Sequence, residues 1–281
     1  MIDLVRGGRT VRYGDHRDQV CDLRMPRGDG PHPVAILLHG GSWGGRWTRH
    51  TVRPLAGALV RLGLATWNVE YRRIDRGGGG GWPGTLQDVG DGIDALLDID
   101  ADVDLDRAVL VGHSAGGQLV LFAAARERLP AGYPAAGPRL LPAAVVALAP
   151  VTSLFPAAQG LLGASEAQEP ERWCYADPSK RLPIGVPTLI VHGTADRLIS
   201  PRSSERFAAA ARHHGDDVDL EVIDGLGHAA VIDPRGAAWT PMANWLRRRG
   251  FTGAQSAVAR RPAGQTSLRT APPRPASPSR R

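Results

Sequence analysis

Ala108-Val-Leu-Val-Gly-His-Ser-Ala-Gly-Gly-Gln-Leu-Val-Leu-Phe122 is the stretch on which the reading of the fold turns. Its first four residues are continuously apolar, as in a strand buried on both faces, and the residues from Ala115 to Arg126 suit a helix. Between them Gly112-His113-Ser114-Ala115-Gly116 requires an abrupt turn. Glycines two before and two after Ser114 let strand and helix pack closely, while the turn holds the serine in strained backbone geometry. The helix that follows points free N–H groups and the positive end of its dipole toward any developing anion. By itself this five-residue pattern fits an ordinary glycine-rich turn as well as a nucleophile turn.

Outward from this turn the alternation repeats. Apolar runs recur at Val34 to Leu38, Leu64 to Val69, Ala143 to Ala149, Pro187 to Val191 and Val218 to Ile223. Helix-period stretches separate them: Val52 to Leu62, Leu86 to Leu97, Ser203 to Arg212 and Ala237 to Arg249. Strand alternating with helix predicts an α/β class, a doubly wound and mostly parallel sheet with functional groups at the strands' carboxyl ends. Val11 to Tyr13 and Gln19 to Met25 read as antiparallel edge strands. The proline-interrupted segment Leu154 to Ile184 breaks the alternation and is expected to form a small cap, with Trp173 and Tyr175 as pocket candidates by position only.

The chain has 281 residues, 42% hydrophobic and 22% charged, with 35 Gly and 23 Pro. That is a soluble globular composition rich in turns, compatible with one large domain over residues 1–250. The net charge of +6 lies wholly in the tail 251–281, which holds six arginines, no acid, and mainly Pro, Ala and Ser. Such a segment is expected to be disordered, and the neutral body carries no basic footprint for nucleic acid. Cys21 and Cys174 are too far apart and too few for a zinc cluster or a disulfide framework, Met1 to Thr10 lacks an apolar signal core, and no run approaches a membrane span. A reducing cytoplasm is the expected compartment. Oligomeric state is not written in these features.

A second glycine-rich segment, His39-Gly-Gly-Ser-Trp-Gly-Gly45, follows the strand ending at Leu38. A loop there can turn backbone N–H groups toward an oxyanion, each donor being worth on the order of a hundredfold in rate. No nucleotide-binding glycine pattern accompanies it. A serine needs a general base, and the base an orienting carboxylate. Asp196 follows the strand ending at Val191, and His228 follows the last strand, in the order Ser, Asp, His. Asp216, Asp217, Asp219 and Asp224 compete formally with Asp196 for the acid.

Residues from about Val11 to Arg249 resemble the α/β-hydrolase superfamily, in its esterase/lipase branch whose HGG-type loop is shared with arylformamidases and prolyl-oligopeptidase-like catalytic domains. The resemblance implies Ser114 as nucleophile, His228 as base and Asp196 as its partner. It also implies oxyanion donors at the backbone N–H groups of Gly41, Ser42 and Ala115, with Gly40 shaping the loop. Ser42 and Trp43 stand where the hormone-sensitive-lipase group has further glycine, a form closer to the arylformamidases. The implied activity is a serine hydrolase of small to medium carboxylic esters that needs no cofactor or metal. Its alternatives are formamide or aminoacyl-peptide hydrolysis on the same residues, or an idle scaffold.

Other features have plainer readings. His39, His113 and His192 are expected to be structural and held by backbone partners, and His213-His214 to mark a helix end. The acidic run Asp98 to Asp106 fails the calcium-loop test at Val103 and Val109 and reads as a solvated turn. Asp88, Asp91, Asp94 and Asp98 read as one solvated helix face. The glycines Gly77 to Gly81 suggest a mobile loop that brings Trp82, with Trp43 and Trp47, to the substrate pocket.

Overall fold

A computed structural model describes residues 8–74, 78–155 and 158–252. The expectations for the tail beyond residue 252, for the first residues of the chain and for Gly77 lie outside the described residues. The strands are β1 (Arg9–Arg12), β2 (Val20–Arg24), β3 (His32–Leu38), β4 (Ala65–Val69), β5 (Val103–His113), β6 (Ala144–Leu148), β7 (Thr188–Gly193) and β8 (Val218–Ile223). They form one sheet in the order β1-β2-β4-β3-β5-β6-β7-β8. β1 and β2 run antiparallel, and β3 to β8 are parallel, as their apolar runs predict.

The helices are α1 (Arg53–Arg61), α2 (Gly84–Asp94), α3 (Ala115–Ala124), α4 (Gln159–Leu162), α5 (Pro170–Ala176), α6 (Pro201–His213) and α7 (Trp239–Arg248). Period-two alternation along each strand sends side chains into two cores. Val34, Ile36 and Leu38 of β3 join Leu110, Val145 and Ile190 under α2, α3 and α6. Ala35 and Leu37 join Val109, Val111, Val146 and Val191 under α1 and α7. Every residue of α3 is buried, which explains why its sequence is apolar on all sides.

The order places β4 and β5 on opposite sides of β3, so the chain's path diverges at β3 and leaves a crevice at its carboxyl end. The register Leu38↔Gly112 sets the residues after β3 beside those after β5. Here the chains approach so closely that a Cβ on Gly116 would lie 2.2 Å from the Leu38 carbonyl oxygen, and one on Gly112 would lie 2.2 Å from that of Gly116.

Several expectations are corrected. The acidic run is not all turn, because Asp104 and Asp106 lie within β5, whose pairing with β3 jumps between Pro33 and Val34 to pass an irregularity. Asp104 pairs with Arg107, and Asp98 with Arg139. The acidic stripe is solvated only in part: Asp91 and Asp98 are exposed, but Asp88 is fully buried against Arg72 and Gln19, and Asp94 meets the buried Arg126. The counter-charges come from loops remote in sequence, so helical spacing alone could not show them. The folded body also runs past residue 250, since Phe251 is buried against Trp245.

In the segment 154–184, Leu161, Leu162, Trp173 and Ala176 join the core beneath α3. Gln118 of α3 donates to the Ala176 carbonyl.

Gly116→Ala is expected to destabilise the fold by about 3 kcal/mol or more, because backbone must move to admit the methyl group. Gly57→Ala, where a Cβ would meet only the far end of Arg61 at 3.6 Å, is expected to stabilise α1 by up to about 1 kcal/mol. Urea denaturation of the two variants checks the contrast.

Candidate active site

Ser114 sits at φ 56° and ψ −118°, a strained conformation for a residue with a Cβ. Its N–H donates to Leu148 O at 2.9 Å, and its carbonyl accepts from Gln118 and Val151. The turn is thus bonded on both sides, to β6 and to α3, which holds the strain in place. Ala115 opens α3, and a first-turn N–H has no carbonyl within its own helix to bond.

The loop after β3 carries three successive positive φ values, at Gly41 (117°), Ser42 (52°) and Trp43 (58°). Gly41 is required twice over, because a Cβ there would also meet the Trp47 side chain at 2.5 Å. Gly44 N–H closes the turn onto Gly41 O. Trp43 is pinned by its indole N–H to Gln118 and by its carbonyl, which accepts from Ile74.

Behind this loop lies a buried charge cluster that sequence reading missed. His39 is not held by backbone alone: Nε2 faces Glu70 at 2.8 Å, and its ring stacks on Tyr71 at 4.4 Å. Tyr71 donates to the His39 carbonyl, and Glu70 also pairs with the buried Arg73, which reaches on to Asp18. Burial would raise the Glu70 pKa, but the His39 ring, the Arg49 N–H and the Arg73 charge outweigh it and hold the carboxyl below its ordinary value. Breaking one member of such a cluster leaves a buried charge unpaired, at a cost of about 3–5 kcal/mol.

Asp196, just past β7, is the one of the competing acids that meets His228. Its Oδ2 lies 2.6 Å from His228 Nδ1 and 3.0 Å from His192 Nε2, and its Oδ1 accepts from the N–H groups of Leu198 and Ile199. Burial would raise its pKa, yet the Ile199 N–H, the His228 ring and the Leu198 N–H together lower it. Asp224 instead bonds Thr194, Asp216 caps the chain at Ile184 and Gly185, and Asp217 and Asp219 meet Arg249.

His192 Nε2 faces two acceptors, Asp196 Oδ2 and Ile199 O, so it carries the proton there, while Nδ1 meets Ser204 Oγ. Burial lowers its pKa, which favours this neutral donor. His113 donates from Nε2 to the His228 carbonyl at 3.1 Å, and its ring centroid stands 4.8 Å from that of His228. Both histidines therefore support the His228–Asp196 pair, a role that their positions beside strand ends did not reveal.

Ser114, His228, Gly41, Ser42, Trp43, Trp47 and Ala115 line a single cavity of about 330 Å³. Gly40 and His113 line it too, and Thr51, Val151, Phe155, Leu198, Ile199, Ala229 and Ile232, none of them marked by a motif, complete its walls. Trp82 is not among the lining residues: it packs edge-on against Tyr133 and under Arg172. Trp173 bonds Ala164 O, and Tyr175 packs on Tyr133, both away from the cavity. Among the described residues no group of three His, Cys, Asp or Glu is placed to hold a metal ion, and no helix is long and apolar enough to cross a membrane.

The BD-FAE family model matches residues 21–210, which include Ser114 and Asp196 and stop short of His228. No curated protein matches the chain. Among solved structures, a truncated carbohydrate esterase from gut microbiota superposes with a TM-score of 0.77 at 18% identity, covering 89% of this chain and 98% of its own. A butyrate-bound esterase of Thermogutta terrifontis gives 0.73 at 19%, covering 89% and 97%. An acetyl ester-xyloside bifunctional hydrolase from Caldicellulosiruptor lactoaceticus gives 0.73 at 20%, covering 89% and 99%. At such identities these structures establish the α/β-hydrolase fold.

Burial, then the neighbouring His228, pushes the His113 pKa down to about 4. An unfolded histidine titrates near ~6.5, so between these values the unfolded chain takes up a proton that the folded state refuses. His113 should therefore cost no stability above ~6.5, an increasing amount as the pH falls to about 4, and nothing further below that. Thermal melts of wild type and His113→Gln between about pH 7 and about pH 4 check this. The glutamine keeps an N–H for His228 O and should flatten that part of the slope, whereas equal slopes would clear His113.

Proposed function

As a member of the BD-FAE family this chain is an esterase, and we propose that it hydrolyses carboxylic esters of small to medium acyl groups through an acyl-enzyme on Ser114. The observation that carries the reading is the 2.6 Å contact of His228 Nδ1 with Asp196, at a cavity that His228 shares with the strained Ser114. In a neutral imidazole, a proton held on Nδ1 by a carboxylate puts the lone pair on Nε2, and that lone pair is a general base.

In this mechanism Ser114 Oγ attacks the acyl carbonyl as His228 Nε2 takes its proton. The N–H groups of Gly41, Ser42 and Ala115 receive the negative charge that develops on the carbonyl oxygen. Because their loop and helix are already fixed, they need not reorganise as the charge appears. His228 then returns the proton to the departing alcohol, and water activated by the same histidine releases the acid. Asp196 keeps its charge throughout and orients the imidazole.

Two features support a short acyl group. The cavity is small, and its walls at Trp43, Trp47, Val151 and Phe155 are apolar, which suits an alkyl chain and rejects a charged one. Trp47 and Phe155 are each about half exposed (47%), so they stand at the mouth and set how much chain is covered.

Ser114→Ala should abolish both ester turnover and the single adduct that a fluorophosphonate forms on the wild type, read by intact mass. Persistence of the adduct would place the nucleophile elsewhere, and absence of an adduct on folded wild type would favour an idle scaffold. Asp196→Asn should keep the fold and lower kcat by on the order of ten-thousandfold, because the amide turns the imidazole to the wrong tautomer. Trp47→Ala should raise KM for p-nitrophenyl butyrate more than for the acetate.

A further inference from the structure

Beside the acyl cavity runs a second, more open cleft of about 630 Å³, walled by Arg24, Arg53, Arg61 and Arg235 against a single acid, Asp233. It borders the first cavity directly, because Thr51, Ala229 and Ile232 line both. We propose that this cleft binds an anionic group, a carboxylate or a phosphate, on the alcohol portion of the ester substrate.

The charge is available for a ligand. Arg53 is partly engaged by Asp22 and Arg235 by Asp233, with the Arg235 side chain almost fully in solvent. Among the described residues Arg24 and Arg61 take no carboxylate partner. Two arginines without a carboxylate partner, from the end of β2 and the end of α1, line one space. Guanidinium matches the planar oxygens of carboxylate and phosphate with paired, charge-assisted hydrogen bonds.

The floor of the cleft is a glycine without a backbone reason to be one. Gly57 lies inside α1 at ordinary helical φ, where glycine weakens a helix, and a Cβ there would touch only Arg61. Its effect is to keep the space between Arg53 and Arg61 open. The direction of the cleft assigns the anion to the alcohol. Ala229 and Ile232 follow His228, and the base hands its proton to the departing oxygen, so the alcohol lies on this side of the site. The acyl side, walled by apolar residues, offers no counter-charge.

The proposal rests on Ser114 as the nucleophile, and the test separates the two. Wild type and the double variant Arg24→Gln/Arg61→Gln are compared on acetylated methyl glucoside, acetylated methyl glucuronate and acetylated methyl glucoside 6-phosphate. At low ionic strength the wild type should prefer at least one anionic ester by about tenfold or more in kcat/KM, mainly through KM. That preference should shrink at about 0.5 M salt and disappear in the double variant. Turnover of the neutral ester should be equal in both proteins, which also shows that the variant folds. The preferred anion identifies the source, carboxylate or phosphate. Equal rates on neutral and anionic esters in the wild type, or a preference that survives both substitutions, overturn the proposal. Calorimetry with glucuronate and with glucose 6-phosphate on the Ser114→Ala protein reads the cleft independently of turnover. Binding lost in the triple variant supports the cleft even if no ester is cleaved, and no binding of either probe counts against it.

Discussion

The structure depends on how closely the end of β3, the end of β5 and the start of α3 can approach. Gly112 and Gly116 leave no room for even one added carbon, so the backbones touch. That contact drives α3 into the core, where every one of its residues is buried, and forces Ser114 to make the whole change of direction alone. Its unfavourable backbone angles are held by hydrogen bonds to β6 on one side and α3 on the other. The same approach sets the loop after β3 beside the serine, so the strained turn and the candidate oxyanion donors come from one packing event.

A buried carboxylate normally resists ionisation, and Asp196 shows what reverses that tendency. Two backbone N–H groups and two imidazole N–H groups converge on its two oxygens. The donors are arranged before any substrate arrives, so the charge that orients His228 is maintained by the fold. His192 and His113 extend this arrangement, one holding the carboxylate and the other the backbone of His228. On the far side, His39, Glu70 and Arg73 brace the strained loop in a similar manner. The site is thus suspended between two buried polar clusters, each anchored at strand ends.

Most of the architecture was legible because it follows from local pattern. Apolar runs placed β3 to β8, glycine spacing placed the turn at Ser114, and position after a strand end put forward Asp196 and His228, with four later aspartates still competing for the acid. The errors share one physical origin, because they concern charges and aromatics whose partners come from elsewhere in the chain. Asp88 looked solvated on its helix, yet Arg72 and Gln19 enclose it. Trp82 was expected in the pocket on the strength of its glycine-rich loop, but Tyr133 and Arg172 hold it elsewhere. Phe155, Leu198 and Ile232 line the cavity without any motif, since a pocket wall needs only bulk at the right place.

The sequence by itself determined the secondary elements, their parallel sheet and a short set of candidate reacting groups. Hydrophobic period and glycine placement act over a few residues, and functional groups follow strand ends in chain order. Only the tertiary structure decided which aspartate meets His228, which residues close the cavity at Ser114, and that arginines from β2 and α1 line one cleft beside it. Those outcomes depend on distances between segments far apart along the chain, and such distances are set by how the sheet's two faces are packed.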